Sequence, residues 1–113
     1  ACARKPIPSV HYMVAAAGCN EIPLADYATF GSKTLSAAAL QGLSTATACL
    51  LANHGQLTVA ADLPSALKLA ELVEELAHCY WGTLAIGGPV LLDKRQMDDV
   101  LSAFASYGQQ KNA

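Results

Sequence analysis

The sequence has 113 residues, the length of one ordinary domain, and a formal net charge of −2. Only 14% of the residues are charged, against about 25% in typical soluble domains, and the few lysines and arginines are scattered, which argues against nucleic-acid binding. No apolar run approaches the length of a membrane-spanning helix, and the N-terminus lacks the apolar middle of a signal peptide. With so few charged residues, a domain of this size has more apolar residues than its interior can bury, and we interpret the excess as surface that meets another subunit or the rest of a larger domain.

The first half of the chain predicts two short strands and one helix. Residues 9–14 alternate between two faces and predict a strand, whereas residues 15–18 fit either its extension or a short helix. Residues 22–30 predict a short strand followed by a loop. Ser32 is placed to cap a helix over about residues 33–43.

The second half predicts a hairpin and a long helix. Residues 47–51 read as a buried strand and residues 56–60 as its partner, with Gly55 at the turn or at a bulge. Asp62 is placed to cap the longest helix, over about residues 63–84. The four strands and the helices together indicate an α/β fold built in packed layers.

A last helix follows the chain break at residues 87–89. Asp93 and Gln96 have capping-box spacing at its start. Gly108 is expected to end this helix and residues 109–113 to form a frayed tail. The apolar residues that recur at helical spacing within it are Met97, Val100, Leu101, Phe104 and Tyr107.

Four cysteines and three histidines are the residues with potential for metal or redox chemistry. No cysteine pair has CxxC spacing, so we expect reduced cytoplasmic thiols, with Cys49 and Cys79 as small core side chains. His78 lies on the charged face of the long helix and is interpreted as a solvated residue. His11 is interpreted as a satisfied core or interface residue. His54 ends a strand at a tight turn, where a functional and a structural role are equally open.

Three segments resemble a known family. They are residues 6–18 (PIPSVHYMVAAAG), 22–31 (IPLADYATFG) and 49–57 (CLLANHGQL). Together they resemble the C-terminal half of a zinc-dependent class II aldolase of the fuculose-phosphate aldolase type. This family also contains ribulose-phosphate 4-epimerases and the adducin head. The resemblance runs in the same order over nearly the whole chain.

The resemblance implies a fold and an assembly. The fold is an α/β/α sandwich around a largely antiparallel central sheet, of which residues 1–113 form a single domain segment without the N-terminal half. The assembly is usually a homotetramer with fourfold symmetry. We therefore expect a cytoplasmic enzyme with no nucleic-acid or membrane partner.

The resemblance also implies a site. Three histidines hold Zn²⁺ in that family, and His54 corresponds to the one in the NHG element. The other two, the catalytic glutamate and the loops that bind the substrate phosphate lie upstream of the segment where this chain begins. Tyr12 and Tyr107 match tyrosines linked to proton transfer or to closure over the substrate. The implied reaction is retro-aldol cleavage of a ketose 1-phosphate to dihydroxyacetone phosphate and an aldehyde.

Several alternatives stay open at this point. The chain can be a fragment of a full aldolase, one piece of a split protein, or a natural truncation that serves as an interaction module like the adducin head. At the enzyme level, a pentulose-phosphate 4-epimerase uses the same retro-aldol step. Retention of His54 favours an origin among the metal-binding members. In each case we expect the isolated chain to be inactive and to expose a sheet edge and apolar faces.

Overall fold

The computed structural model describes residues 1–107, in which one mixed sheet lies between helices. The sheet has the strand order β1-β2-β3, with β1 parallel and β3 antiparallel to the central strand β2. Its strands are β1 (Leu24–Ala25), β2 (Ala48–Leu51) and β3 (Gly55–Thr58). The predicted hairpin of β2 and β3 is therefore confirmed.

The helices begin where the sequence places capping side chains. Ser32 accepts a hydrogen bond from the Leu35 N–H, and Asp62 accepts one from the Ser65 N–H. Asp93 and Gln96 form the reciprocal capping box that their spacing predicts. The α-helices are α1 (Lys33–Gly42), α2 (Leu63–Ala85) and α3 (Lys94–Ser106).

The central strand β2 is buried along its whole length because helices cover both of its faces. Cys49 and Leu51 pack with Ala25 against α1. Ala48 and Leu50 lie in the larger core, which includes residues of α2 and α3. This arrangement is the α/β/α layering that the resemblance implies.

The strand predicted at residues 9–14 is wrong. The segment bends into a 3₁₀ helix over Tyr12–Ala17, where the His11 side chain accepts a hydrogen bond from the Met13 N–H. Gly18 ends it in the left-handed conformation, at φ 72°. A local side-chain cap and a run of alanines thus outweigh the period-two alternation.

The hairpin turn also differs from its prediction. Gly55 begins β3, and the turn comprises residues 52–54. The left-handed residue is Asn53, at φ 54°. Asparagine is among the few residue types that adopt this conformation at small cost, so the turn needs no glycine there.

Burial confirms some predicted core residues and contradicts others. Cys49 is fully buried, whereas Cys79 is exposed and its assignment to the core is wrong. His11 is also exposed, which excludes the core alternative for it, and His78 is exposed as predicted. Gly108 and residues 109–113 lie outside the described residues.

Large apolar side chains are exposed on the surface of the described chain. Val90 is 95% exposed, Ile86 86% and Trp81 67%. The buried residues of α2 are Val73 and Leu76. Within residues 1–107 these exposed apolar side chains lie on α2 and the loop after it, whereas both faces of β2 are covered by helices. The helices in this range are each too short or too polar to cross a membrane.

Candidate metal-binding and catalytic residues

His54 lies in the three-residue turn between β2 and β3. The antiparallel register pairs Leu51 with Gly55, and the His54 N–H donates to the Leu51 carbonyl at 3.0 Å. The backbone of this residue is therefore held by the hairpin. Its side chain is exposed, and no other side chain or backbone group within residues 1–107 forms a hydrogen bond with the imidazole. The imidazole is accessible to an external group.

Two residues of the N-terminal segment contact this turn. The Arg4 Nε donates to the Asn53 Oδ1 at 2.6 Å, and the Asn53 N–H donates to the Ala1 carbonyl at 3.3 Å. The Arg4 guanidinium also lies 5.7 Å from the ring centroid of Tyr27, in the loop after β1. The N-terminal segment thus ties the His54 turn to the rest of the sheet.

Tyr12 begins the 3₁₀ helix and is 50% exposed. Its ring stacks on the His11 imidazole, with centroids 4.7 Å apart and planes inclined by 26°. His11 itself lines a groove of about 290 Å³ against α2, together with Glu75 and Cys79. The phenol of Tyr12 is thus presented at the surface by a short, capped helix.

Tyr107 follows the last residue of α3 and is 89% exposed. It lines a groove of about 550 Å³ between α3 and the 3₁₀ helix, with Met13, Thr47 and Phe104 among the other lining residues. Neither Tyr12 nor His54 contributes to this groove. Neither groove described above is lined by more than one of the three predicted site residues.

The described part of the chain also contains no group of three metal-ligating side chains. His54 therefore stands as a single potential ligand. Burial raises the pKa of the Cys19 and Cys49 thiols above the ordinary value. Both are consequently protonated at neutral pH and are poor ligands and nucleophiles.

Sequence reasoning missed Arg4 and its contacts with Asn53 and Tyr27. Arg4 and Asn53 are 49 residues apart, and neither carries a motif that would connect them. Their pairing depends on the path of the N-terminal segment past the hairpin. The one local signal is the position of Asn53 directly before His54.

Comparison with known proteins gives the family. The model of the class II aldolase and adducin N-terminal domain matches residues 1–81. The chain is 48% identical over 108 residues to a 5-methylthioribulose-1-phosphate/5-deoxyribulose-1-phosphate aldolase of Rhodospirillum rubrum, covering 96% of the chain and 49% of that protein. It is 47% identical over 105 residues to the L-fuculose phosphate aldolase of Haemophilus influenzae, covering 92% and 49%.

A solved structure agrees with these relatives. An L-fuculose 1-phosphate aldolase superposes with a TM-score of 0.88 at 38% identity, covering 92% of this chain and 49% of that one. The chain belongs to the class II aldolase and adducin family, and its resemblance to the fuculose-phosphate aldolase type is confirmed. It spans about half the length of the curated relatives it matches.

Proposed function

We propose that this chain forms part of a zinc-dependent lyase that cleaves a ketose 1-phosphate to dihydroxyacetone phosphate and an aldehyde. The observation that carries the proposal is the exposed His54 imidazole, which makes no hydrogen bond within residues 1–107 and lies on a hydrogen-bonded hairpin turn, in a fold that matches an L-fuculose 1-phosphate aldolase. The relatives' names support a phosphorylated sugar as the substrate class. The isolated 113 residues are inactive in this proposal, because one imidazole does not complete a catalytic zinc site.

His54 fits zinc as one of several ligands. Catalytic zinc sites use three protein ligands and keep a further position open for the substrate, and imidazole nitrogen is a preferred ligand. The side chain is exposed and held on a turn whose backbone is hydrogen-bonded, which suits a ligand. Zinc, when bound, stabilises the negative charge that develops on the substrate as the carbon–carbon bond breaks.

Tyr12 and Tyr107 are proposed to hold or move a proton at the phenol oxygen. In cleavage, a positioned tyrosine oxygen in its phenolate form can accept the proton of the substrate hydroxyl that becomes the aldehyde carbonyl, and in the reverse reaction the phenol returns that proton; the ring can also close over the substrate. Both phenols are surface groups, and the groove lined by Tyr107 includes neither Tyr12 nor His54. An active site formed at the interface between copies of the chain, with residues from more than one copy, accounts for this separation. A homotetramer is therefore part of the proposal.

Two further functions compete with aldol cleavage. A pentulose-phosphate 4-epimerase breaks the same bond and re-adds the aldehyde on its other face. An interaction module like the adducin head needs neither zinc nor a phenol. A cytoplasmic location belongs to the enzyme proposal and is supported by the free thiols of Cys2, Cys19, Cys49 and Cys79.

The proposal is tested with His54→Ala in the full gene product that contains these residues. Loss of a supporting residue already costs about 10–100-fold in metal affinity, so loss of the ligand should weaken zinc binding by more than about 100-fold and abolish cleavage. His78→Ala, at an exposed site on α2, is the matched control. Zinc binding is measured by calorimetry, and activity by separate assays of ketose 1-phosphate cleavage and pentulose-phosphate epimerisation.

Each result selects one function. Cleavage that depends on His54 supports the aldolase, and epimerisation without net cleavage identifies the epimerase. Zinc binding that is unchanged in His54→Ala would mean that His54 is not a ligand. If the full gene product binds no zinc and gains no activity when zinc is added, the interaction module is the remaining function.

A further inference from the structure

The turn that carries His54 is held by an unusual pair of residues. Arg4 and Asn53 both have positive φ, at 50° and 54°. They are joined by the 2.6 Å hydrogen bond from Arg4 Nε to Asn53 Oδ1. A positive φ is uncommon for arginine and persists only where surrounding contacts hold it. Here the holding contacts are the Arg4 N–H bond to the Ala1 carbonyl at 3.0 Å and the bond to Asn53.

The contacts of the Arg4 side chain reach two separate parts of the chain. Its guanidinium lies over Tyr27 in the loop after β1, and its Nε contacts Asn53 in the hairpin turn. The Asn53 N–H in turn donates to the Ala1 carbonyl. The turn is consequently held by the hairpin itself, through the His54 N–H, and from outside the hairpin by the N-terminal segment.

The geometry has a direct consequence for the neighbouring imidazole. Asn53 precedes His54, so a rotation of the Asn53 backbone redirects the His54 side chain. Metal ligands must be held within about 0.5 Å of their working position by contacts beyond the metal. A three-residue turn on the edge strand β3 has few such contacts of its own.

We propose that Arg4 is a positioning residue: through Asn53 it holds the hairpin turn in the conformation that presents the His54 imidazole to the metal. This inference rests on the proposed role of His54 as a zinc ligand. Its content beyond that role is that a residue 49 positions from Asn53 determines the orientation of the ligand.

The test uses Arg4→Ala in the full gene product and two measurements. Zinc affinity by calorimetry should fall about tenfold, as expected for a residue that orients a ligand. In the metal-free protein, nuclear magnetic resonance of the His54 imidazole should change from one ordered environment to an averaged one. Lys5→Ala is the matched control, since Lys5 is an exposed neighbouring cation that makes no side-chain hydrogen bond within residues 1–107.

A double-mutant cycle tests the route through Asn53. Asn53→Gly keeps a residue that tolerates positive φ but removes the Oδ1 acceptor. Arg4→Ala should then cause no further loss of zinc affinity in the Asn53→Gly background. A full tenfold loss in that background would refute transmission through Asn53.

The remaining outcomes separate this inference from the proposed function. If Arg4→Ala leaves both zinc affinity and the metal-free imidazole signal unchanged, Arg4 does not position His54, whatever the role of that histidine. If His54→Ala leaves zinc binding intact, the proposed function is wrong. The metal-free signal still reports whether Arg4 orders the imidazole, because it does not depend on zinc.

Discussion

Gly42 and Gly82 both lie within helices and should respond in opposite directions to alanine. A Cβ on Gly42 would lie 3.1 Å from both Cβ and Sγ of Cys49 and 3.6 Å from Cβ of Ala25. A Cβ on Gly82 would meet no heavy atom within 4 Å in the described chain. The first substitution therefore crowds the contact between α1 and the buried strand β2, and the second does not.

The expected magnitudes follow from two opposing contributions. Replacing glycine by alanine in a helix is favourable by about 0.5–1 kcal/mol. Carbon atoms pack best at about 3.5–4.0 Å, and overpacking a dense core costs about 1–3 kcal/mol. Gly42→Ala should thus lower the free energy of unfolding by about 1 kcal/mol. Gly82→Ala should raise it by up to about 1 kcal/mol.

Urea unfolding of the full gene product, followed by circular dichroism, measures both variants. Because Gly42 is the last residue of α1 and Gly82 lies inside α2, the gain in helix propensity is larger for Gly82→Ala, and the rest of the difference between the two variants reports the crowding. Unchanged m-values would show that only stability changed. A Gly42→Ala protein as stable as the parent, alongside a stabilised Gly82→Ala protein, would refute the reasoning. It would mean that the crowding at Cys49 costs no more than the gain in helix propensity, because β2 can move away from α1.

Two further predictions concern a buried thiol and the exposed apolar surface. Cys49 should resist iodoacetamide in the folded protein and react once urea unfolds it, and equal labelling of both states would contradict its burial. Burial raises the pKa of the Cys49 thiol in the folded state. The contribution of the protonated thiol to the free energy of unfolding is therefore fully present below the ordinary pKa of about 8.5 and is lost as the pH rises above it. The unfolding free energy should therefore decline less steeply above pH ~9 in Cys49→Ala. The isolated 113 residues should self-associate in sedimentation velocity, because Val90, Ile86 and Trp81 are exposed, and a clean monomer would count against an uncovered interface.

Local signals account for the elements that were predicted correctly. A cap needs only a side chain and an N–H three residues on, so Ser32, Asp62 and Asp93 mark their helices within a single turn of chain. The β2–β3 hairpin is likewise a contact between near neighbours. These features depend little on the rest of the molecule.

The wrong predictions concern features whose structure depends on competing local patterns or on contacts between distant segments. Residues 9–14 alternate like a strand, but the cap by His11 and the alanines after it give a 3₁₀ helix. Cys79 resembles Cys49 in type, yet only Cys49 lies on the strand that helices cover on both faces. Burial of a small side chain is decided by the layer it falls in, which sequence position does not state.

By itself the sequence determined the family, the helices and their caps, the hairpin and the choice of His54 as the candidate ligand. Tertiary structure alone decided that Tyr107 lines a groove to which neither Tyr12 nor His54 contributes, and that Arg4 reaches Asn53. The physical reason is the separation along the sequence between the residues that form each feature. Caps and turns are closed by residues a few positions apart, whereas the position of a site residue depends on which distant segments pack beside it.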